Sequence, residues 1–380
     1  MKKNTSFTLY GERSEPSLEL APGYRFGGRF ELVQHIGSGG FGQVWRVRDV
    51  YLDNDEIALK ISGSELRNEI VTLRHLPKSH YIAVFDFAHD IGHSAYGYSM
   101  EFLSPPWMTL TAFREQVLAK QFENTATSLD AILIIICIAA DILAGLEELH
   151  GNKYAKQNRK VHGDIKPANV YVNKIGAGDI LKRFTNELES FTKIGDLGLT
   201  CEAGSSTRGG TPCYQAPEQG DSGTLVTQTD LFSVGKTITY LIFGDPAVFD
   251  ESTHISYVRS ALEEKIPSTY LVRRLAVLMR RLLYKNPGNI GVPSSLKQSF
   301  VDIIGNPVDW RIVRRLLIMP PMSVTKSDSA NYLFNDVKQF YGWTNLNETR
   351  RAYILEIFTS LYKRDILERR GIKYDVLGRC

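Results

Sequence analysis

The pattern of apolar and polar positions changes once along the chain. In the first part, short apolar runs at 30–36, 57–61 and 96–100 are typical of β-strands. In the second part, apolar residues recur at helical spacing, and the longest such segment covers 129–150. Further helices are predicted at 230–243, 268–285 and 294–304. A Pro-Pro pair at 105–106 separates the two parts and predicts a break in regular structure. The pattern therefore predicts an α+β fold.

The two ends of the chain differ from this middle part. Residues 1–25 are polar and contain Pro16, Pro22 and Gly23, which predicts a flexible leader. Residues 306–380 are rich in Lys and Arg and carry aromatic and aliphatic faces at helical spacing. They predict a helical extension that either binds an acidic partner or packs on the rest of the chain with its charges in solvent. The second interpretation is favoured.

The composition narrows the classes of protein that fit. With 43% hydrophobic and 23% charged residues, the chain has the balance of a soluble globular protein. A net charge of +3 is too small to indicate nucleic-acid binding. The most apolar run, 131–140, is shorter than the roughly 20 residues of a membrane span, and no apolar signal segment follows the first residues. The four cysteines form no C-x-x-C pair, so we expect a cytoplasmic protein.

The stretch 162–172 holds the most suggestive group of polar side chains. Asp164 can accept a proton, Lys166 can neutralise a phosphate oxygen, and Asn169 can bind a hard metal ion through its carbonyl. Such a set suits phosphoryl transfer, in which positioning and charge neutralisation supply most of the catalysis. Taken alone, it could equally be an ordinary polar loop before a strand.

A glycine-rich segment follows the first predicted strand. Gly37, Gly39 and Gly42 lie between two strand-like runs, so they predict a hairpin whose tip can approach a ligand through its backbone N–H groups. A dinucleotide-binding fold would instead continue into a helix, and Val44 continues as a strand. A hairpin that binds no ligand is the simpler alternative.

Three charged residues elsewhere could complete such a site. Lys60 faces inward by strand alternation and therefore needs an anionic partner. Glu69, at the start of a predicted helix, can provide it, although it could also be a solvated helix residue. Asp196 is a second candidate metal ligand, with a plain Asp-x-Gly turn as the alternative.

Together these segments resemble the eukaryotic-type (Hanks-type) serine/threonine protein kinase family. The resemblance covers about residues 26 to 305 and rests on the order of seven segments: 37–44, Lys60, Glu69, 162–169, 196–198, 216–218 and 230–235. It implies a bilobal kinase fold with an N-lobe at 26–103, a C-lobe at 104–305 and a C-terminal helical extension. It also implies ATP and Mg²⁺ as ligands and a protein with Ser or Thr acceptors as substrate.

The resemblance assigns a role to each candidate residue. Asp164 accepts the proton of the substrate hydroxyl, Lys166 offsets charge on the transferring phosphoryl group, and Asn169 and Asp196 bind Mg²⁺. Lys60 holds the nucleotide phosphates through an ion pair with Glu69. The remaining ATP contacts are expected at Ile36, Gly37, Gly39, Gly42, Val44, Ala58, Met100 (the gatekeeper position), Glu101, Leu103 and Tyr171.

Two features of the sequence support serine/threonine specificity. Lys166 itself and the segment 210–218 resemble serine/threonine kinases more than tyrosine kinases. Thr211 is expected to bond to Asp164 and Lys166, and Asp230 is expected to anchor the backbone of the catalytic loop.

Gly163 is the main departure from the family pattern. It replaces the Arg that usually pairs with a phosphorylated activation loop, so activity is not expected to depend on phosphorylation of Ser205, Ser206 or Thr207. His-Gly-Asp also resembles small-molecule phosphotransferases, which typically lack the segment 210–218. A pseudokinase scaffold is the third alternative, disfavoured because the full set of catalytic residues is present.

Smaller departures concern individual contacts. Leu197 replaces the usual Phe, and Tyr171 replaces an aliphatic residue under the adenine. Glu218 lacks the Arg that normally pairs with it. Glu218 is expected to be buried, and it therefore needs another partner or water.

Overall fold

The structure is a computed structural model. It describes residues 19–304 apart from 41, 53, 64–65, 124, 152–158, 175–189, 207–208, 221–222 and 267–268. The described chain divides into two compact units. The first unit comprises the residues up to Arg74 together with Ile82–Phe102, and the second comprises His75–Tyr81 and the residues from Leu103 onward.

The first unit is built on an antiparallel sheet. Its strands are β1 (Arg25–Phe26), β2 (Phe30–Gly39), β3 (Gly42–Asp49), β4 (Asn54–Ser62), β5 (Val84–Asp90) and β6 (Ala95–Glu101). They lie in the order β1-β2-β3-β4-β6-β5. Between β4 and β5 the chain forms helix α1 (Arg67–His75). The strands predicted at 30–36, 57–61 and 96–100 are therefore confirmed.

Alternation along the strands builds the core of this unit. Alternate residues at 30–32 in β2, 45–47 in β3 and 57–61 in β4 are apolar and buried on one face of the sheet. The members of this cluster are Phe26, Phe30, Leu32, Trp45, Val47, Ile57, Leu59, Ile61 and Ala95. Leu20 and Tyr24 pack against it, so the end of the predicted flexible leader contributes to the fold. Residues 1–18 of that leader lie outside the described residues.

The second unit contains most of the helices. They are α2 (Leu110–Phe113), α3 (Ala119–Phe122), α4 (Thr125–His150), α5 (Pro217–Gly220), α6 (Thr227–Phe243), α7 (Ile255–Lys265), α8 (Thr269–Leu282) and α9 (Pro293–Ile304). A π-helical turn, Arg114–Leu118, joins α2 to α3. Two small antiparallel sheets accompany them. Their strands are β7 (Trp107–Thr109), β9 (Val170–Asn173) and β10 (Thr192–Ile194) in one sheet, and β8 (Lys160–Val161) and β11 (Cys201–Glu202) in the other.

Helix α4 lies at the centre of the second unit. The sequence predicted one apolar face from residue 129, but the helix begins at Thr125 and its run 131–139 is buried on all sides. The reason is that α6, α9 and β10 all pack against α4. A helix covered from several directions becomes apolar around its whole circumference.

Helix α6 also begins earlier than predicted, at Thr227 instead of Asp230. The hydroxyl of Thr229 accepts a hydrogen bond from the Val226 backbone N–H and so closes the first turn. The helix ends where Gly244 adopts a left-handed φ of +83°, a conformation that favours glycine.

Two further expectations concern membrane-spanning helices and the C-terminal residues. Across the described ranges, no helix combines the length and the apolar character that a membrane crossing requires. Residues 306–380, for which a helical extension is predicted, lie outside the described residues.

Gly235 provides a test of the packing between α6 and the end of α8. At an open helix position, replacing Gly with Ala stabilises a protein by about 0.5–1 kcal/mol. At Gly235, however, an added Cβ would lie 2.9 Å from the Cβ of Leu282 and 3.0 Å from Cδ2 of Leu283. We therefore expect Gly235→Ala to lower the free energy of unfolding by about 1–3 kcal/mol, measured by urea denaturation.

Gly220→Ala is the control, because an added Cβ at Gly220 meets no described atom within 4 Å. Equal stabilities of the two variants would contradict the close helix packing.

Candidate active site

Four residues predicted to bind ATP lie on one face of the sheet in the first unit. Val44 in β3 pairs with Lys60 in β4, and Ala58 in β4 pairs with Met100 in β6. Residues that pair directly across neighbouring strands send their side chains to the same face, as do residues two apart in one strand. The strand register thus brings these four side chains, which are distant in sequence, together on the face of the sheet opposite the apolar core.

Lys60 and Glu69 form the ion pair that the resemblance implies. Nζ of Lys60 lies 2.8 Å from Oε1 and 3.0 Å from Oε2 of Glu69. Both side chains are buried, at 6% and 5% exposure. Burying a charge is unfavourable unless a partner compensates it, and here each charge compensates the other.

The glycine-rich turn between β2 and β3 uses its glycines in two ways. Gly42 has a φ of +119°, and an added Cβ would lie 2.1 Å from the carbonyl oxygen of Ile61, so the fold itself requires glycine there. At Gly37, Gly39 and Gly40 an added Cβ would meet no described atom within 4 Å. Packing does not demand glycine at these three positions, and the open space leaves the backbone accessible to a ligand.

The other predicted ATP contacts are distributed over both units. Ile36 in β2 is 47% exposed, which suits a side chain that covers a ligand. The backbone N–H of Glu101 donates to the carbonyl of Ala83, 2.8 Å away. Leu103 and Tyr171 belong to the second unit, where both are half-buried, and Tyr171 lies in β9.

Asp230 anchors the catalytic loop within the second unit, as predicted. Its carboxylate accepts hydrogen bonds from the backbone N–H groups of His162 (2.8 Å) and Gly163 (2.9 Å). Nε2 of His150, the last residue of α4, donates to the same carboxylate at 2.8 Å. Asp230 is fully buried, so these donors replace the water that a carboxylate would otherwise bind.

The carboxylate of Asp164 accepts four hydrogen bonds. Oδ2 accepts from Nζ of Lys166 (2.7 Å) and Nδ2 of Asn169 (3.1 Å). Oδ1 accepts from the backbone N–H (3.0 Å) and the hydroxyl (2.9 Å) of Thr211. The same Thr211 hydroxyl accepts from Nζ of Lys166 at 2.7 Å. The bonds expected of Thr211 are therefore present, and the position of the carboxylate is fixed from four directions.

The backbone of Gly195 connects the two predicted metal ligands. Its N–H donates to the carbonyl of Asn169 at 2.8 Å, and its own carbonyl accepts from Nε2 of His162 at 3.1 Å. Asp196 follows directly, with a φ of +54° that Asp tolerates better than most residues. The metal ligands are thus held at neighbouring strand ends.

The chemistry of this donor set fits Mg²⁺. Because Nδ2 of Asn169 donates to Asp164, Oδ1 is the atom that can ligate a cation, and Asp196 adds a carboxylate. Mg²⁺ prefers oxygen ligands and is usually bound by one or two protein side chains together with phosphate oxygens and water. No group of three or more His, Cys, Asp or Glu residues suited to a metal occurs among the described residues.

Asp141 in α4 holds the strand that leads to Asp196. Its Oδ2 accepts from the hydroxyl of Ser190 (2.9 Å), the N–H of Phe191 (3.0 Å) and the hydroxyl of Thr192 (3.4 Å). Burial raises the pKa of Asp141 to about 6, although these donors act in the opposite direction. One carboxylate oxygen of Asp141 therefore contacts three consecutive residues at the start of β10.

The sequence of this chain matches a known protein family. The sequence model of the family described as "Protein kinase domain" matches residues 30–318, which is more than half of the 380 residues. The chain belongs to the protein kinase family. The fold of the two units and the arrangement around Asp164 agree with this membership.

Several curated kinases are similar to this one. It is 25% identical over 248 residues to the probable serine/threonine-protein kinase PknB of Lactococcus lactis, covering 64% of this chain and 36% of the relative. It is 26% identical over 279 residues to the serine/threonine-protein kinase PksC of Streptomyces coelicolor, covering 69% and 46%. These two relatives are therefore more than twice as long as the part that this chain matches.

A third relative is matched over most of its length. The kinase is 24% identical over 314 residues to the probable cAMP-dependent protein kinase catalytic subunit of Encephalitozoon cuniculi, covering 77% of this chain and 84% of the relative.

The backbone at position 163 favours glycine. Gly163 has a φ of +81°, and an added Cβ would lie 3.2 Å from the carbonyl oxygen of Leu199. The left-handed φ favours glycine, and the nearby oxygen further restricts any side chain. Gly163 and Leu199 lie where the loop at 162–166 contacts the start of the predicted activation segment.

Glu218 differs from the sequence-based expectation of a buried charge. It is half-buried, and its Oε1 accepts a hydrogen bond of 2.7 Å from the hydroxyl of Thr229. A neutral hydroxyl from α6 therefore takes the place of the missing Arg. Leu197, in contrast, is buried, as expected for a mild apolar replacement of Phe.

Sequence reasoning missed four residues that support the site. They are His150, Asp141, Tyr98 and Gln219. Gln219 donates from Nε2 to the carbonyl of Gly163 at 2.9 Å. The only local signal for Asp141 was a charge at the end of the apolar run in α4.

We expect Gly163→Ala to lower the free energy of unfolding by about 1–3 kcal/mol, because it adds both left-handed strain and a 3.2 Å approach to Leu199. Gly204→Ala is the matched control. Gly204 has a φ of +98°, but an added Cβ there meets no described atom within 4 Å. In thermal unfolding, we expect Gly204→Ala to lose less stability than Gly163→Ala. A greater loss of stability in Gly204→Ala than in Gly163→Ala would refute the crowding at Gly163.

Proposed function

We propose that this chain is an ATP- and Mg²⁺-dependent kinase that transfers the γ-phosphate to serine and threonine hydroxyls of proteins. The observation that carries the proposal is the carboxylate of Asp164, held by Lys166, Asn169 and Thr211. Membership of the protein kinase family and the names of the relatives support the same activity.

Asp164 would receive the proton of the acceptor hydroxyl. A carboxylate offers about four lone-pair positions, and four donors already occupy those of Asp164. An acceptor hydroxyl therefore has to share or displace one of them. Lys166 contacts both Asp164 and Thr211, so its charge would lie beside the phosphoryl group as it transfers.

Other predicted residues would bind the remaining ligands. Lys60, oriented by Glu69, would hold the phosphates of ATP. Asn169 and Asp196 would hold Mg²⁺, which supplies neutralisation of charge on the phosphate oxygens. Around the nucleotide we keep the predicted contacts, including Met100 as the gatekeeper.

Serine/threonine specificity is supported by Thr211. It links the segment 210–218 to both Asp164 and Lys166, as expected for this class of kinase. Small-molecule phosphotransferases typically lack this segment, so the same contact disfavours them. We assign residues 26–305 to the kinase domain and 306–380 to a helical extension that packs on it or binds an acidic partner.

We also propose that the kinase acts in the cytoplasm and needs no nucleic-acid or membrane partner. The cysteine pattern supports a reducing compartment, since Cys137, Cys201 and Cys213 are free thiols.

We further propose that activity does not require phosphorylation of the activation segment. Unmodified contacts already hold this segment. β11 pairs with β8, and the N–H of Ala203 donates to the carbonyl of Arg159 at 2.6 Å. Leu225 exchanges hydrogen bonds with Gly204 (2.8 Å) and Ser205 (2.9 Å) through the backbone.

The C-terminal half of the segment is held in the same way. Nε2 of Gln215 donates to the carbonyl of Gly209 at 2.7 Å, and the hydroxyl of Ser233 donates to the carbonyl of Tyr214 at 2.8 Å. Together with Gly163 at the usual Arg position, these contacts support an activation segment that is ordered without a phosphate.

The proposed activity is tested by phosphoryl transfer from labelled ATP to a mixture of acceptor proteins. We expect label on Ser and Thr, and Asp164→Asn should reduce the rate by at least about 100-fold, because proton transfer by a positioned group contributes that much. Asp90→Asn is the control, since Asp90 is another buried carboxylate that accepts four hydrogen bonds.

Label on metabolites only would favour a small-molecule phosphotransferase. Absence of transfer that depends on Asp164 would favour a scaffold and overturn the proposal.

A second prediction concerns the activation segment. We expect the combined variant Ser205→Ala, Ser206→Ala and Thr207→Ala to keep at least about half of the wild-type rate, since backbone contacts hold the segment. Thr207 lies outside the described residues. Phosphatase-treated wild type provides an independent comparison, and a loss of more than about ten-fold in either sample would refute this point.

A further inference from the structure

Tyr98 in β6 bonds directly to the ion pair of Lys60 and Glu69. Its side chain is 1% exposed, and its hydroxyl donates to Oε1 of Glu69 at 2.9 Å. We propose that Tyr98 is a positioning residue that locks Glu69, and with it helix α1, in the ion-paired position. The catalytic consequence rests on the proposed kinase function, whereas the lock itself does not.

The strand register explains how the hydroxyl reaches Glu69. Lys60 and Tyr98 are direct partners across β4 and β6, so both side chains leave the same face of the sheet. Both strands lie inside the sheet, with a paired strand on each side. Of the three groups, only Glu69 is on a helix. The sheet therefore presents an ammonium and a hydroxyl together to one carboxylate of α1.

A tyrosine hydroxyl suits this position chemically. The carboxylate of Glu69 is buried, and a buried charge is stable only when its hydrogen-bonding capacity is satisfied. The hydroxyl of Tyr98 adds a donor to Oε1 without adding a second positive charge. Lys60 therefore remains the cation of the pair, as the binding of phosphate requires. A phenylalanine would fill the same space but supply no donor.

Two other restraints act on α1 in the same direction. β4 ends at Ser62 and α1 begins at Arg67, so the connection between them is short. The backbone N–H of Ile70 donates to the carbonyl of Leu66 at 3.0 Å, and Leu66, Ile70 and Leu73 are buried. The Tyr98 bond completes these restraints at the functional residue itself.

The lock is tested without any activity measurement by amide hydrogen exchange in α1. Tyr98→Phe removes only the hydroxyl, and we expect exchange in 67–75 to accelerate about ten-fold, as for the loss of a hydrogen bond to a charged group. Tyr81→Phe is the matched control. Tyr81 is equally buried, and its hydroxyl donates to the carbonyl of Gly145 at 2.7 Å. Exchange in 67–75 that stays within two-fold of wild type in Tyr98→Phe would overturn the proposal.

A double-mutant cycle tests the catalytic consequence. We expect Tyr98→Phe to lower kcat/KM for ATP about ten-fold, but to have no further effect in a Glu69→Gln background. Full additivity of the two changes would show that Tyr98 does not act through Glu69 and would overturn the proposal. If the wild type transfers no phosphate, the proposed function fails, and the exchange measurement still decides whether the lock exists.

Discussion

The structure of the catalytic loop depends on the buried carboxylate of Asp230. Residues 162–166 have no regular secondary structure to satisfy their backbone groups, yet the N–H groups of His162 and Gly163 are buried. Asp230, fixed in α6, accepts both, and His150 at the end of α4 donates to the same group. Two central helices thereby determine where Asp164 lies, because an unpaired buried N–H would be strongly unfavourable.

Hydrogen bonds to backbone groups connect Asp230 with the other predicted functional residues. The N–H of His162 donates to Asp230 while its ring contacts the carbonyl of Gly195, and the N–H of Gly195 donates to the carbonyl of Asn169. One histidine thus couples the catalytic loop to the strand end that carries Asp196. The positions of these functional groups therefore depend on hydrogen bonds that side chains and backbone groups make to the main chain.

The parts of the fold that depend on local periodicity could be predicted from the sequence. Strand alternation placed Lys60 facing inward, and helical spacing placed Glu69 on a helix as a candidate partner. The family resemblance then implied their ion pair. The complete burial of α4 could not be predicted, since it depends on which elements cover the helix. The same holds for Thr229 as the partner of Glu218 and for the bond from Tyr98 to Glu69. Hydrogen-bond partners distant in sequence leave no periodic signal.

Asp141 gives the free energy of unfolding an unusual dependence on acidity. Its pKa is raised from 3.8 to about 6. Between these two pH values, the folded protein therefore keeps a proton on Asp141 that the unfolded chain has released. Its contribution to stability is complete below about pH 4 and is lost as the pH rises through about 6. Asp49 and Asp250, whose pKa values are lowered by hydrogen bonds, act in the opposite sense. The helix that supports β10 therefore carries a proton-binding group that opposes acid unfolding.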